Sequence, residues 1–345
     1  MRYSHNATLV IVLAGIVLAV LIWVIRPGSE GSRQVVVYTS VDQEHARRLL
    51  DKFERETGIR VRASFDIEAQ KTTGLYNTIR DEQSAPIADV FWSSEASRME
   101  QLRREGLLAP YASPSGSSIP EAYRAPDGTW YGFGARARVL VYDPRRFQES
   151  DPPGSIFDLT DPALKGRVGI ANPLFGTTSS HVAALFATRG DRAKEFLLDL
   201  KKNDVRILDG NSRVRDLVGR GELWVGLTDT DDVWVGKDNG LHLEMVFPDG
   251  EPGGLGTLVM PNTIGLIRGA RHPEEGKAFI DFILSKETEA DLASGPSRQI
   301  PVRGDVDTPT NIVPLEDIRT MAVSIPQIVD VLPESLQFVR DHFLQ

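Results

Sequence analysis

In the run Gly132-Phe133-Gly134-Ala135-Arg136-Ala137-Arg138-Val139-Leu140-Val141-Tyr142-Asp143 the stretch Arg136 to Tyr142 reads as one long strand, and the chain has an α/β series on either side of it. Upstream, Val35-Val36-Val37-Tyr38 is a compact apolar strand. A helix follows, with Ala46, Leu49, Leu50 and Phe53 recurring at i, i+3, i+4 and i+7. Ser40 and Gln43 have the spacing of a capping box, and Gly58 stands where a left-handed C-terminal residue is wanted. Ile59–Phe65 alternates as a second strand, Ala88–Trp92 forms a third, and Gly106 closes the helix behind it. Downstream come the strand Val168–Ala171, a helix from about Ser179, another over Arg192 to Lys202, and one starting near Asn211. The strand Leu223–Leu227 ends in Thr228-Asp229-Thr230-Asp231-Asp232, Gly256–Ile267 is strand-like, and Pro273–Leu292 has the periodicity of one amphipathic helix. Ala112–Pro120, rich in Ser and Pro, reads as a surface loop. This rhythm predicts mostly parallel sheets covered on both faces. The division expected is residues 1–33 as a leading segment, 34–137 plus 258–305 as one lobe, and 138–257 plus 306–345 as the other.

A chain of 345 residues suits two lobes of average size. Its 48 acidic residues outnumber 39 basic ones, for a net charge of -9, which argues against sequence-independent nucleic-acid binding. There is no cysteine, so disulfides, thiolate metal sites, cysteine nucleophiles and a lipid-modified cysteine are all excluded. Ala7–Ile25 is apolar apart from Thr8 and long enough to approach a hydrocarbon core about 30 Å thick. It reads as a retained membrane anchor rather than a cleaved signal peptide, since cutting after Val17-Leu18-Ala19 would leave Val20–Ile25 exposed. Both readings send the rest of the chain across a membrane, to the periplasmic or extracytoplasmic face. Arg26 to Ser32 reads as a linker.

Polar residues collect at the predicted strand-to-helix turns: Ser40 and Asp42, Ser93 and Ser94 with Glu95, Gly176-Thr177-Thr178, Asn211-Ser212, and Asp229 with Thr230. Ligands of open α/β sheets bind outside the carboxyl ends of the strands, at such turns, where helix N-termini favour anions. Each turn alone fits ordinary helix capping. Their repetition in two series points to a ligand-binding cleft. Arg136, in the long crossing strand, is either a fork for an anion or the partner of a nearby aspartate. Asp42, Glu95, Asp231 and Asp232 offer hard oxygen ligands for a metal such as Ca²⁺, Mn²⁺ or ferric iron. His45 and His181 read as solvated or capping residues rather than ligands.

The chain resembles, over nearly all of its exported part, the iron(III)-type periplasmic binding proteins of ABC importers. The stretches that carry the resemblance are Val35-Val36-Val37-Tyr38-Thr39-Ser40, Phe53–Ile59, Ala88-Asp89-Val90-Phe91-Trp92-Ser93, Arg136 to Asp143, and Asn211-Ser212 before Gly221-Glu222-Leu223. The resemblance implies a class II binding-protein fold: two α/β lobes, a hinge and an interlobe cleft that closes on its ligand. It further implies an ABC permease and ATPase as partners and no required cofactor. The metal ion, where there is one, is the cargo, held with a synergistic anion. Arg136, Gly176-Thr177-Thr178 and Asn211 match the anion-holding part of that site, while the family's first-loop His falls on Asp42 and its carboxylate ligand near Ser94 or Glu95. Where the family carries adjacent tyrosines this chain has Thr230 and Asp231. Ferric iron, another metal on carboxylates alone, and a metal-free organic anion such as a phosphonate all stay open. No G-x-S-x-G, H-E-x-x-H or P-loop motif points to an enzyme, and a membrane-anchored ligand sensor is the remaining alternative.

Overall fold

A computed structural model describes residues 33–66, 72–148 and 152–345. The expected segment Ala7–Ile25 and the linker after it lie outside these residues. Among the described residues no helix is long and apolar enough to cross a membrane.

The first series holds β1 (Gln34–Thr39), α1 (Gln43–Thr57), β2 (Arg60–Phe65), α2 (Thr73–Asp81), β3 (Val90–Ser93), α3 (Ser97–Arg104) and the short β4 (Leu108–Ala109). Strands β1, β2 and β3 are parallel, as a strand–helix–strand connection requires. The long strand is β5, Trp130–Tyr142, and every residue of it up to Val141 is buried. The second series holds β6 (Val168–Ala171), α4 (Gly176–Arg189), α5 (Asp191–Lys202), β7 (Arg206–Leu208), α6 (Asn211–Gly219), β8 (Val225–Asp229), α7 (Thr230–Asp238) and β9 (Glu244–Val246). The chain then returns through β10 (Val259–Ile267), α8 (Pro273–Ile283), α9 (Lys286–Ser294) and, at the end, α10 (Ile325–Phe338).

The strand order is β2-β1-β3-β10-β5-β8-β6-β7, so β5 is shared. Trp130 to Ala137 pair antiparallel with β10, whereas Arg138 to Tyr142 pair with β8. The switch of partner falls between two consecutive residues and turns one strand into the bridge between two sheets. One apolar cluster runs across both sheets, joining Phe91, Met99 and Trp130 to Leu140, Val168 and Val225, and each sheet also has a filling of its own. On the first, Phe53 meets Phe279 edge-on at 5.1 Å and Phe133 lies 6.0 Å from Trp92, all four fully buried or nearly so. On the second, Val139 and Val141 pack with Val214, Leu217 and Val218 of α6.

Four expectations give way. The sheets expected to be mostly parallel are mixed, because β5 and β10 run antiparallel to every strand they pair with. The helix expected over Pro273–Leu292 is two helices, because the Ser285 hydroxyl accepts from Thr288 N–H (3.2 Å) and starts a second one. The capping box of Ser40 and Gln43 is absent: Asp42 is the N-cap residue of α1, without a side-chain cap, and Ser40 Oγ instead accepts from Ser94 N–H (2.8 Å). His181 is neither solvated nor capping but 2% exposed inside α4. Gly58 does adopt the expected left-handed conformation, at φ 69°.

Candidate functional site

The carboxyl ends of β6 and β8 open into the N-termini of α4 and α7, and β7 leads into α6. The sequence supplies no side-chain cap at any of these three helix starts. Their partial positive charge and their first-turn N–H groups, apart from Asp232 N–H, which donates to Asp231 Oδ1 (3.1 Å), therefore face whatever lies at the strand ends. What lies there is a cavity of about 40 Å³ between the two sheets. From the first series it is lined by Asp42 and Ser94. Arg136 borders it from the shared strand, and Gly176, Thr177, Thr178, Asn211, Asp229, Asp231 and Asp232 close it from the second. A volume of that size is enough for an ion and a water or two.

Two arginines on the same face of β5, at i and i+2, divide the polar chemistry. Arg138 is 0% exposed and sits directly across from Asp229 in the strand pairing. Its Nη1 donates to Asp229 Oδ1 (2.7 Å), Asn211 Oδ1 (3.1 Å) and Thr177 Oγ1 (3.2 Å), and its Nη2 to Thr178 Oγ1 (3.3 Å). The second oxygen of Asp229 accepts from the Thr177 hydroxyl (2.7 Å) and Asn211 Nδ2 (2.9 Å). Arg136 Nη2 donates to Asn262 Oδ1 (2.7 Å), while its Nε lies 3.3 Å from Asp231 Oδ2. Arg136 thus has an aspartate at ion-pairing distance, as one of its two expected roles requires.

Oxygens of Asp229, Asp231 and Asp232 come within 4.8 Å of one another. Five aspartates line the cavity, counting Asp42 and Asp209, against the single guanidinium of Arg136. The excess acts on both signs of charge. Burial pushes the Asp231 carboxyl up, with Asp229 and Asp42 adding to it against the opposing pull of Arg136. Burial works against the charged form of Arg136, yet Asp231, Asp229, Asp42 and Asp232 together hold it above its ordinary value. The aspartates thus favour the charged form of Arg136.

Several sequence-predicted residues are placed elsewhere. Glu95 is 1% exposed, and its carboxylate accepts from Ser97 N–H (2.6 Å), Arg98 N–H (3.0 Å) and the Ser180 hydroxyl (2.9 Å). That caps α3 and ties it to α4 instead of meeting the aspartates. Ser93 bonds Glu95, Ser40 bonds Ser94, and the Thr230 hydroxyl accepts from Ala137 N–H (3.2 Å). Ser212 follows Asn211 into α6 without lining the cavity. Arg138 is the residue that sequence reasoning missed. Its signal was present in the i, i+2 spacing from Arg136, which puts both on one face of the strand. A larger groove of about 860 Å³ lies beside Trp130 and Ile325, but its charged residues are paired, Arg103 with Glu100 and Asp127 and Arg124 with Glu121.

Two α/β halves joined by a shared strand, with a charged cavity at the strand ends between them, define a solute-binding protein. Residues 85–317 match the family described as bacterial extracellular solute-binding protein, and the chain belongs to that family. The Fe(3+)-binding periplasmic protein of Serratia marcescens is 26% identical over 299 residues, covering 85% of this chain and 86% of its own. Iron-bound HitA from Pseudomonas aeruginosa superposes with a TM-score of 0.82 at 25% identity, over 90% of this chain and all of that one. AfuA from Actinobacillus pleuropneumoniae, solved with fructose-6-phosphate, shares the fold with a TM-score of 0.80 at 21% identity, over 91% of this chain and 100% of its own. Its similarity bears on architecture alone.

Proposed function

We propose that this chain is the substrate-binding component of an ABC importer whose cargo is a hard metal cation, held by carboxylates from both sides of the cleft. The observation that carries the reading is the small cavity in which Asp229, Asp231 and Asp232 converge, with Asp42 on the opposite wall. Carboxylate oxygens suit oxygen-seeking cations such as Mn²⁺, Ca²⁺ or ferric iron. Similarity to the Serratia and Pseudomonas proteins supports a metal cargo, although Thr230 and Asp231 stand where tyrosines were expected. The role is capture and delivery, without chemistry on the cargo. The lobes are 34–137 plus 258–305 and 138–257 plus 306–345, a division supported by the change of partner along β5 at Arg138. Cation binding across the cleft favours the closed arrangement, and the apolar run Ala7–Ile25 keeps the protein at the extracytoplasmic face of the membrane, beside its permease.

The test is thermal unfolding of the full chain with MnCl₂, CaCl₂, ferric nitrilotriacetate, or sodium phosphate and phosphonates without metal. A cation at about 100 times its Kd adds about 2.7 kcal/mol to stability. Stabilisation by at least one cation, lost in Asp231→Asn, is expected. Stabilisation by metal-free phosphonate alone would overturn the cargo assignment.

A further inference from the structure

The donors that sequence reasoning assigned to a co-bound anion are already engaged. Thr177, Thr178 and Asn211 stand at the first turns of α4 and α6, and the guanidinium of Arg138 lies behind them. Hydroxyls, an amide, a guanidinium and uncapped helix N-termini together make a cradle for a small oxyanion. In this chain the cradle holds a carboxylate of its own. Asp229 Oδ1 receives Arg138 Nη1 at 2.7 Å, and Oδ2 receives the Thr177 hydroxyl at 2.7 Å and Asn211 Nδ2 at 2.9 Å. Asp229 is 2% exposed, Arg138 0% and Thr177 4%, while Asn211 is half-buried.

We propose that Asp229 is a resident anion: its carboxylate fills the cradle, so the chain takes up its cation without a co-bound anion. The placement is fixed by the fold, because Asp229 is the last residue of β8 and pairs directly across from Arg138 on β5. A charge-assisted pair in that register is held by two strands rather than by side-chain rotamers alone. A free phosphate or bicarbonate would have to displace a covalently tethered competitor that loses no translational freedom on binding. The same carboxylate lies in the cluster with Asp231 and Asp232, so it supplies the negative charge that a co-bound anion would otherwise bring next to the cation. The inference rests on the cation-cargo reading only for its consequence; the filled cradle is tested separately.

Two arms decide it. In the first, binding of Mn²⁺ to the full wild-type chain is measured by calorimetry in chloride buffer, with and without 1 mM phosphate or bicarbonate, and phosphate is titrated alone. Mn²⁺ affinity should change less than about twofold with either anion, and phosphate alone should give no heat. A rise of tenfold or more with an anion, or phosphate binding by the metal-free protein, would overturn the proposal. In the second arm, Asp229→Ala empties the cradle beside a buried Arg138. Formate or phosphate at millimolar concentration should then raise the variant's melting temperature while leaving that of the wild type unmoved. Equal response of both proteins would overturn the proposal, and if Asp229→Ala does not fold, Asp229→Ser is used in its place. Failure of Mn²⁺ to bind under every condition would remove the cargo reading, while the formate arm still decides whether the cradle is filled.

Discussion

Arg136 and Arg138 are two residues apart on one strand and face the same side, yet their surroundings differ in kind. Around Arg138 the fold supplies a carboxylate, two threonine hydroxyls and an amide for its two terminal nitrogens, leaves its Nε without a hydrogen-bond partner, and gives it no exposure to solvent. Around Arg136 it supplies one amide oxygen and one ion pair at 3.3 Å on the border of a cavity crowded with aspartates. The first is a lock between β5 and β8. The second is a positive charge on the border of the cavity proposed to take a cation. The difference teaches that two arginines on one face of a strand can take different places in a cleft, one tying its wall together and one bordering its cavity.

The largest expected effect breaks the lock. Arg138→Met leaves Asp229 buried without its counter-charge and should cost about 3–5 kcal/mol in urea unfolding. Adding Asp229→Leu should recover most of it, since replacing both partners of a buried pair is far milder than removing one. A single-variant cost under about 1 kcal/mol would show that the pair is not a lock.

His181 sharpens the contrast through pH. Burial, and then the nearby charge of Arg138, push its imidazole from 6.5 down to about 3. Between those values the unfolded chain binds a proton that the folded chain refuses. Stability is therefore lost as pH falls through that window, by at most about 1.4 kcal/mol per pH unit from this one group. In His181→Gln the difference between variant and wild-type unfolding free energies should drift in favour of the variant as pH is lowered from 7 to 4. A difference that stays flat would mean that His181 does accept a proton in the fold.

Arg136 should behave in the opposite sense to Arg138. Arg136→Met should cost only about 1–2 kcal/mol, the order of a lost charged hydrogen bond. It should also raise Mn²⁺ affinity about tenfold, because a competing unit charge leaves the cavity. Reduced affinity would instead make Arg136 part of the cargo's own shell. Smallest in stability is Asp42→Ala, exposed at the start of α1, which should change unfolding by no more than about 0.5 kcal/mol. It should nonetheless weaken Mn²⁺ binding at least tenfold in calorimetry, which separates a binding role from a structural one.

Much of this architecture was legible in the sequence. The apolar strands, the spacing of Ala46, Leu49, Leu50 and Phe53, and the long run through Arg136 to Tyr142 point to strands, helices and a bridge that the structure contains, because hydrophobic periodicity follows backbone geometry directly. The turns at Asp42, Thr177, Asn211 and Asp229 were legible as a set for the same reason: they sit at strand ends. Which side chain meets which was not. Glu95 and Asp231 look alike as acidic residues after a strand, but one sits two residues ahead of α3 and caps its backbone, while the other begins a helix facing the cavity. The missed role of Arg138 has a like cause. Its partner Asp229 is 91 residues away, and only the antiparallel register of β5 and β8 sets them opposite one another.

The most direct test of the account is a double-mutant cycle on Mn²⁺ affinity with Asp42→Asn, Asp231→Asn and the combination, measured by calorimetry on the full chain. One ion gripped from both walls makes the two losses strongly non-additive: once either carboxylate is gone, removing the other should cost much less than it does in the wild type. Two additive losses, or a cation that binds the double variant as tightly as the wild type, would contradict a shared cargo between the halves.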